Sequence, residues 1–277
     1  MGKITKKEAV GIILACIYVF MDYTSKHGAM SNDFDQDDLY AGNDIFISKN
    51  LEEKKGYENR VKPALDKGLS FCGLILLSPL YIVIAAAVYL SDPGHVFFTQ
   101  ERVGRNKRLF RIHKFRTMKM DTPHDVPTHM LENPEQYIIK AGRVLRKYSL
   151  DELPQIWDIF RGKMSVIGPR PALWNQKDLI TERDKYGAND IMPGLTGWAQ
   201  INGRDGLEIV RKAQLDGEYA KRLKKGGFRA FLFDCKCFLG TISVAFKHDG
   251  VIEGGTGSKF INSDAYGNKR DRTKNLK

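Results

Sequence analysis

Two acids stand side by side in the stretch KYSLDELPQ, Lys147 to Gln155: Asp151 and Glu152. An Asp carboxylate can attack phosphorus and form an acyl phosphate, which splits one difficult transfer into two easier steps. Its neighbour could hold a divalent ion. Magnesium, which favours oxygen ligands, would neutralise a phosphate that must approach two negative groups. The same residues also fit a plainer role. Ser149 followed three places later by Glu152 matches a capping box, and acids in a first turn complement the helix dipole, so the pair alone leaves both readings open.

Cations gather around the pair in sequence: Lys114, Arg116, Arg143, Arg146 and Arg170 all fall in short, turn-flanked elements that could converge. Planar guanidiniums hold phosphate oxygens two at a time, so a diphosphate is a natural guest between them; a solvated basic face is the alternative for each. GPRP, Gly168 to Pro171, reads as a rigid turn because Pro169 and Pro171 fix the backbone on either side of Arg170. There is no G-x-x-x-x-G-K-[ST] loop and no G-x-G-x-x-G after a strand. Neither a P-loop ATPase nor a dinucleotide enzyme is supported.

The elements that must position these groups are short. HVFFTQERVGRNKRLFRIHKFRTMK has β-branched and aromatic residues on both sides of Gly104-Arg105-Asn106 and predicts a hairpin whose strands carry many cations. Pro134 to Lys147 is helix-like and basic, Ser149 starts a helix that ends near Gly162, and Pro171 opens another toward Tyr186. PGLTGWAQINGRDG, Pro193 to Gly206, is a glycine-punctuated loop before a charged helix that ends ahead of Gly226-Gly227. FRAFLFDCKCFLGTISVAF, Phe228 to Phe246, fits either a helix in the lipid headgroup region or ordinary core packing. The tail from Gly254, ending NKRDRTKNLK, reads as flexible and basic, suited to an anionic lipid surface.

One stretch departs from soluble-protein statistics. LSFCGLILLSPLYIVIAAAVYL, Leu69 to Leu90, contains no ionisable acid or base, and about 20 apolar residues are enough to cross a bilayer. Ser78-Pro79 sits near its centre, where proline removes a backbone donor and predicts a kink. Lys54, Lys55, Arg60, Lys62 and Lys67 precede it; Arg102, Arg105, Lys107, Arg108, Arg111 and Lys114 follow it. Positive flanks stay cytoplasmic, so both ends favour the same side. The expected element enters the membrane, bends at Ser78-Pro79 and leaves by the same face.

The whole chain of 277 residues carries a formal charge of +11, which predicts an anionic partner: nucleic acid, a phospholipid surface or a phosphorylated small molecule. Its 42% hydrophobic and 28% charged residues are those of a folded chain and exclude wholesale disorder. Cys16, Cys72, Cys235 and Cys237 form no C-x-x-C pair, which argues against a zinc site or a disulfide framework and fits a reduced, cytoplasmic setting. Ala9 to Met21 is apolar behind three lysines but lacks a small-residue cleavage site, so it reads as a short surface or packing segment rather than a signal peptide.

FFTQERVG, KFRTM, RKYSLDELPQIWDIFRGKMSVIGPRP and PGLTGWAQINGR, in that order behind the interrupted hydrophobic stretch, resemble the bacterial sugar transferase family of small monotopic polyprenyl-phosphate phosphoglycosyl transferases. The likeness runs from about Arg60 to about Gly250. It implies an α+β protein, mostly helical and monotopic, with a re-entrant helix-break-helix and a small β-hairpin. Residues 1–59 would be an extension without an assigned role, 60–91 the re-entrant helix, 92–250 a cytoplasmic catalytic domain with membrane-associated helices, and 251–277 a flexible basic tail.

The reaction implied is transfer of a sugar 1-phosphate from a UDP-sugar to polyprenyl phosphate, usually undecaprenyl phosphate. UMP is released, and a lipid-linked glycan begins at the cytoplasmic face of the bacterial inner membrane. The resemblance assigns the nucleophile to Asp151, through a phosphosugar-aspartyl intermediate, and a magnesium contact to Glu152. Arg170, between Pro169 and Pro171, falls at the nucleotide end of the donor; Lys114 and Arg146 match further active-site cations, and Arg116 and Arg204 match phosphate or scaffold positions. Partners would be the UDP-sugar, the polyprenyl phosphate, membrane lipids and downstream glycosyltransferases. Lys163 departs from the pattern, where an acid is more usual after the glycine; a surface exchange is the simpler account. On this reading a capping box at Ser149 and a reactive Asp151 are compatible. The competing class is a non-catalytic, membrane-anchored basic module that binds anionic lipid or nucleic acid. No aromatic and basic interleaving typical of RNA binding is present, so no nucleic-acid partner is expected.

Overall fold

The structure, a computed structural model, describes residues 56–122, 134–203 and 206–247. The apolar segment at 9–21, Arg204 and the basic tail lie outside the described residues. Helix α1, Lys62–Ser91, is the longest element and follows one π-helical turn at Tyr57–Val61. The predicted hairpin is present: strands β1, Phe97–Val103, and β2, Leu109–Phe115, pair antiparallel with Phe98 opposite Lys114. Asn106 and Lys107 turn it with φ of 55° and 63°. Asn tolerates this left-handed region through its short polar side chain. Next come α2, Lys140–Lys147; a single 3₁₀ turn, Leu150–Glu152; α3, Gln155–Phe160; and strand β3, Ser165–Ile167. The chain continues through α4, Lys177–Asp184; β4, Gly194–Thr196; α5, Trp198–Ile201; α6, Ile209–Lys225; and α7, Gly227–Lys247. The class is thus mostly helical with small sheets.

Helix α1 does not stop at Pro79; it runs unbroken from Lys62 to Ser91. Two helices separated by a break were expected here. Proline cannot donate to the carbonyl four residues back, which here is that of Ile75. The Ser78 hydroxyl donates to that Ile75 oxygen at 2.8 Å, so the neighbour supplies the missing donor and the helix can continue. Its buried stripe reads Lys62, Asp66, Ser70, Leu74, Ser78, Tyr81, Ile84 and Val88, the spacing of one helix face. That inward stripe holds the polar residues. Leu69, Leu76, Ile82, Val83 and Leu90 point away from the protein, each more than half exposed. A soluble helix has the reverse arrangement, and an apolar patch this long marks an interaction surface.

The polar members of the stripe find buried partners. Lys62 and Tyr57 donate to Asp234 Oδ2 on α7 at 2.8 Å each, and Tyr219 on α6 donates to Oδ1 at 2.8 Å. Asp66 accepts from the Val166 amide of β3 at 3.1 Å. A second buried pair, Arg183 with Asp216 at 2.6 Å, ties α4 to α6. Leu74, Tyr81, Ile84 and Val88 pack with Val96, Phe115, Ile139 and Leu145, so the hairpin and α2 lie against the second half of α1.

Two differences from the sequence reading have local causes. The segment at Pro193–Gly206 was expected as loop, yet β4 within it pairs parallel with β3 through Ser165↔Gly194 and Ile167↔Thr196. Three-residue strands give no readable alternation. Glycine is required because a Cβ at Gly194 would lie 2.1 Å from the Gly168 nitrogen. The helix expected from Pro171 begins only at Lys177, since Val103 and Arg102 of β1 first engage Ala172 and Pro171.

Close approach also joins α2 to the end of β2. A Cβ on Gly142 would fall 2.3 Å from the Thr117 carbonyl oxygen, and backbone cannot yield as a side-chain tip can. Gly142→Ala is therefore expected to lower stability by about 1–3 kcal/mol. It should also reduce activity, because Thr117 Oγ1 accepts from Arg146 Nε at 2.8 Å on the same helix. Thermal unfolding and initial rates measured together check this; an unchanged Tm would contradict it.

Candidate active site

Four elements bring the predicted residues together. The 3₁₀ turn supplies Asp151 and Glu152, β2 supplies Lys114, the last turn of α2 supplies Arg146, and the Gly168–Pro171 turn after β3 supplies Arg170. The turn with the two acids hangs from the membrane helix: Tyr81 on α1 donates its hydroxyl to the Leu153 carbonyl at 2.5 Å, and Ile156 packs over Gly73.

The capping box does not form. Ser149 takes a left-handed conformation, φ 55° and ψ 25°, without a side-chain cap bond, and the α-helix begins only at Gln155. Glu152 is turned to another purpose. Lys114 Nζ donates to its Oε1 at 2.9 Å and Arg170 Nη1 to its Oε2 at 3.0 Å, while Arg170 Nη2 also donates to Oε1. Glu152 is 9% exposed. Burial alone would raise its pKa, but the charges and hydrogen bonds of Arg170 and Lys114 hold it well below the usual carboxylate range.

Asp151 differs sharply from its neighbour. Its half-buried carboxylate makes no hydrogen bond or ion pair with another described residue. Burial, with the nearby Glu152 charge, pushes its pKa up to about 6 against the opposing pull of Lys114, Arg170 and Arg146. Two adjacent acids with such separated environments carry separate roles: one is a fixed anion that orients cations, the other an unengaged base or nucleophile.

Pro169 and Pro171 are buried at the turn that presents Arg170. Arg116, predicted as a substrate contact or a scaffold, is buried and spends its donors on the Asp92 carboxylate, the His95 carbonyl at 2.6 Å and the Met118 carbonyl at 3.3 Å. Its place is the joint between α1 and the hairpin. Arg143 and Lys163 are exposed. Sequence reasoning missed Arg102 as a site residue, although it lies within FFTQERVG; it stands close enough to Arg170 and Glu152 for their charges to act on it. Alternation along β1 would have been the signal, hidden by a strand that mixes polar and apolar residues on both faces.

Among the described residues no three His, Cys, Asp or Glu side chains gather to hold a metal ion by themselves. Glu152 Oε1 already accepts from Lys114 and Arg170 and Oε2 from Arg170, so Glu152 keeps one acceptor position on Oε2; with an Asp151 oxygen this is the share a protein commonly contributes to magnesium when substrate phosphates complete the shell. The donor set therefore suits a magnesium ion that is bound jointly with a phosphorylated substrate. With Arg102 included, two carboxylates lie among four cations, Lys114, Arg102, Arg146 and Arg170, so among the described site residues the cations outnumber the acids.

Comparison with known proteins points to one family. The family described as bacterial sugar transferase matches residues 57–248. The exopolysaccharide production protein ExoY of Rhizobium meliloti is 33% identical over 195 residues, covering 65% of this chain and 86% of that protein. The UDP-glucose:undecaprenyl-phosphate glucose-1-phosphate transferase of Escherichia coli is 39% identical over 173 residues, 60% of this chain and 37% of that protein. A UDP-N-acetylgalactosamine-undecaprenyl-phosphate N-acetylgalactosaminephosphotransferase of Aeromonas hydrophila is 35% identical over 146 residues, 51% of this chain and 34% of that protein. The match thus spans about a third of the length of the last two relatives.

Proposed function

The chain belongs to the bacterial sugar transferase family, and from that premise we propose that it transfers a sugar 1-phosphate from a UDP-sugar to undecaprenyl phosphate. The observation that carries the reading is the contrast at the acidic pair: Glu152 is locked to Lys114 and Arg170 while Asp151 stands unengaged beside them. Asp151 attacks the phosphorus that bears the sugar, the bond to the bridging oxygen breaks, and UMP leaves with that oxygen. A phosphate oxygen of the lipid acceptor then attacks the same phosphorus. The acyl phosphate bond breaks, the Asp151 carboxylate is restored, and a lipid-linked sugar diphosphate is formed. The surplus of cations over acids among the described site residues suits a donor diphosphate.

Arg170 and Lys114, oriented by Glu152, hold the phosphate oxygens, and Arg146 lies on the Asp151 side. Glu152 would hold magnesium, whose chemistry there is to neutralise the donor phosphates.

Helix α1 supports a monotopic placement at the cytoplasmic face of the inner membrane. It is about 45 Å long, and the rest of the protein packs along it from Lys62 to Val88. A helix that simply crossed the bilayer could not be covered by a water-soluble body over that whole length. Labelling reporters placed before Arg60 and after Ser91 should therefore both react from the cytoplasmic side; reaction on opposite sides would contradict the placement.

The activity test is UMP release by purified protein given magnesium, undecaprenyl phosphate and a panel of UDP-sugars, with the lipid-linked product followed in parallel. UMP and product appearing together are expected for at least one donor. No turnover, combined with salt-sensitive vesicle binding indifferent to Asp151→Asn, would favour the non-catalytic basic module.

A further inference from the structure

The site's least expected feature is an arginine without an acid. Arg102 on β1 donates Nη1 to the Pro171 carbonyl at 3.1 Å and Nη2 to Gln100 Oε1 at 2.7 Å, but no carboxylate among the described residues pairs with it. Its Nε is buried without a hydrogen-bond partner among the described residues. Such an atom loses hydration without compensation, so its place in a fold needs an explanation. The backbone around it is firmly tied to the Gly168–Pro171 turn. Val103 donates to the Ala172 carbonyl at 2.9 Å, and Arg102 forms an antiparallel bridge with Leu173.

The other end of the same turn, at Gly168, lies near the other buried polar atoms without partners among the described residues, the amide nitrogen and oxygen of Gln200. A Cβ built on Gly197 would meet both Gln200 Oε1, at 3.2 Å, and the Gly168 oxygen, at 2.1 Å, so the amide lies against the turn that presents Arg170. Unspent hydrogen-bonding capacity therefore borders one turn at both ends. That turn holds the guanidinium which reaches Glu152.

We propose that Arg102 is a positioning residue of the donor site, setting the Gly168–Pro171 turn so that Arg170 meets the phosphates of a nucleoside diphosphate. The inference rests on the donor reading above and adds a residue to it. Burial, and then the like charge of Arg170, lower the Arg102 guanidinium to about 10, with Glu152 partly offsetting them. Two like charges near one turn favour the arrival of an anion there.

Calorimetric titration with UDP tests this on the full chain, comparing wild type, Arg102→Gln, Arg170→Gln and the double variant. Arg102→Gln is expected to weaken UDP about tenfold. The double variant should be within about twofold of Arg170→Gln, because a residue that acts through another adds nothing once the other is gone. A residue that only braces the hairpin would lower Tm and leave UDP affinity unchanged. That result, or fully multiplicative losses, overturns the proposal. If Arg102→Gln does not fold, Arg102→Lys decides: it keeps the charge but lacks the planar fork that serves Pro171 and Gln100 from two separate nitrogens, so weaker UDP binding is again expected. Wild type failing to bind UDP would overturn the donor reading as well; wild-type binding with indifferent Arg102 variants overturns this inference alone.

Discussion

Asp151→Asn is expected to lower turnover by a factor on the order of 10³ or more, because an amide cannot attack phosphorus and no second carboxylate among the described residues stands free beside it. Glu152, the only adjacent candidate, has both oxygens engaged by Lys114 and Arg170. The same substitution should raise stability at neutral pH. Burial leads the shift that takes Asp151 from 3.8 to about 6, so the folded chain holds this proton more tightly than the unfolded chain does. Stability contributed by the protonated form is then present at low pH and is lost as pH rises from about 4 through about 6. Asn carries no charge to desolvate. The Tm of Asp151→Asn should exceed that of wild type at pH 8, and the gap should close toward pH 4. Wild-type initial rates should fall as pH drops below about 6, since only the ionised carboxylate is nucleophilic. A variant that is inactive yet less stable at pH 8 would mean that Asp151 serves the turn rather than the reaction.

Glu152→Ala should have the second-largest effect, and on both activity and stability. Removing one partner of a buried ion pair leaves the other charges uncompensated. Lys114 is 16% exposed and Arg170 31% in their side chains, so water moderates the penalty, and about 3 kcal/mol is expected. Turnover should fall on the order of a hundredfold, because Arg170 and Lys114 would no longer be held toward the phosphates. Glu152→Gln keeps the shape and can still accept a hydrogen bond, so it should recover much of the stability but little of the activity. Equal activity in Glu152→Gln and wild type would show that the charge is unnecessary and would remove Glu152 from the mechanism.

Much of this organisation could be read from the sequence where the signal was local. The hairpin was legible because β-branched and aromatic residues flank Gly104-Arg105-Asn106, and both C-terminal helices were bounded by Gly226-Gly227. Lys114, Arg146, Asp151, Glu152 and Arg170 were picked out in advance, and the structure brings them together. Three things were not legible. A capping box is a statement about side-chain hydrogen bonds, and when Lys114 arrives from 38 residues earlier to claim Glu152, the long-range charge outweighs the local motif. Likewise the Ser78 hydroxyl serves the carbonyl that Pro79 leaves without a donor, so the helix continues across it. Arg102 stayed hidden for the same reason. Its meaning depends on Pro171, 69 residues away.

The measurement that tests the central claim most directly is intact-protein mass spectrometry of the purified chain with magnesium and a panel of UDP-sugars, lipid acceptor withheld. Wild type is expected to gain the mass of a sugar phosphate, with UMP released and the adduct mapped to Asp151, and Asp151→Asn to gain none. Turnover by Asp151→Asn at the wild-type rate once undecaprenyl phosphate is supplied would contradict it, leaving Asp151 without a covalent role.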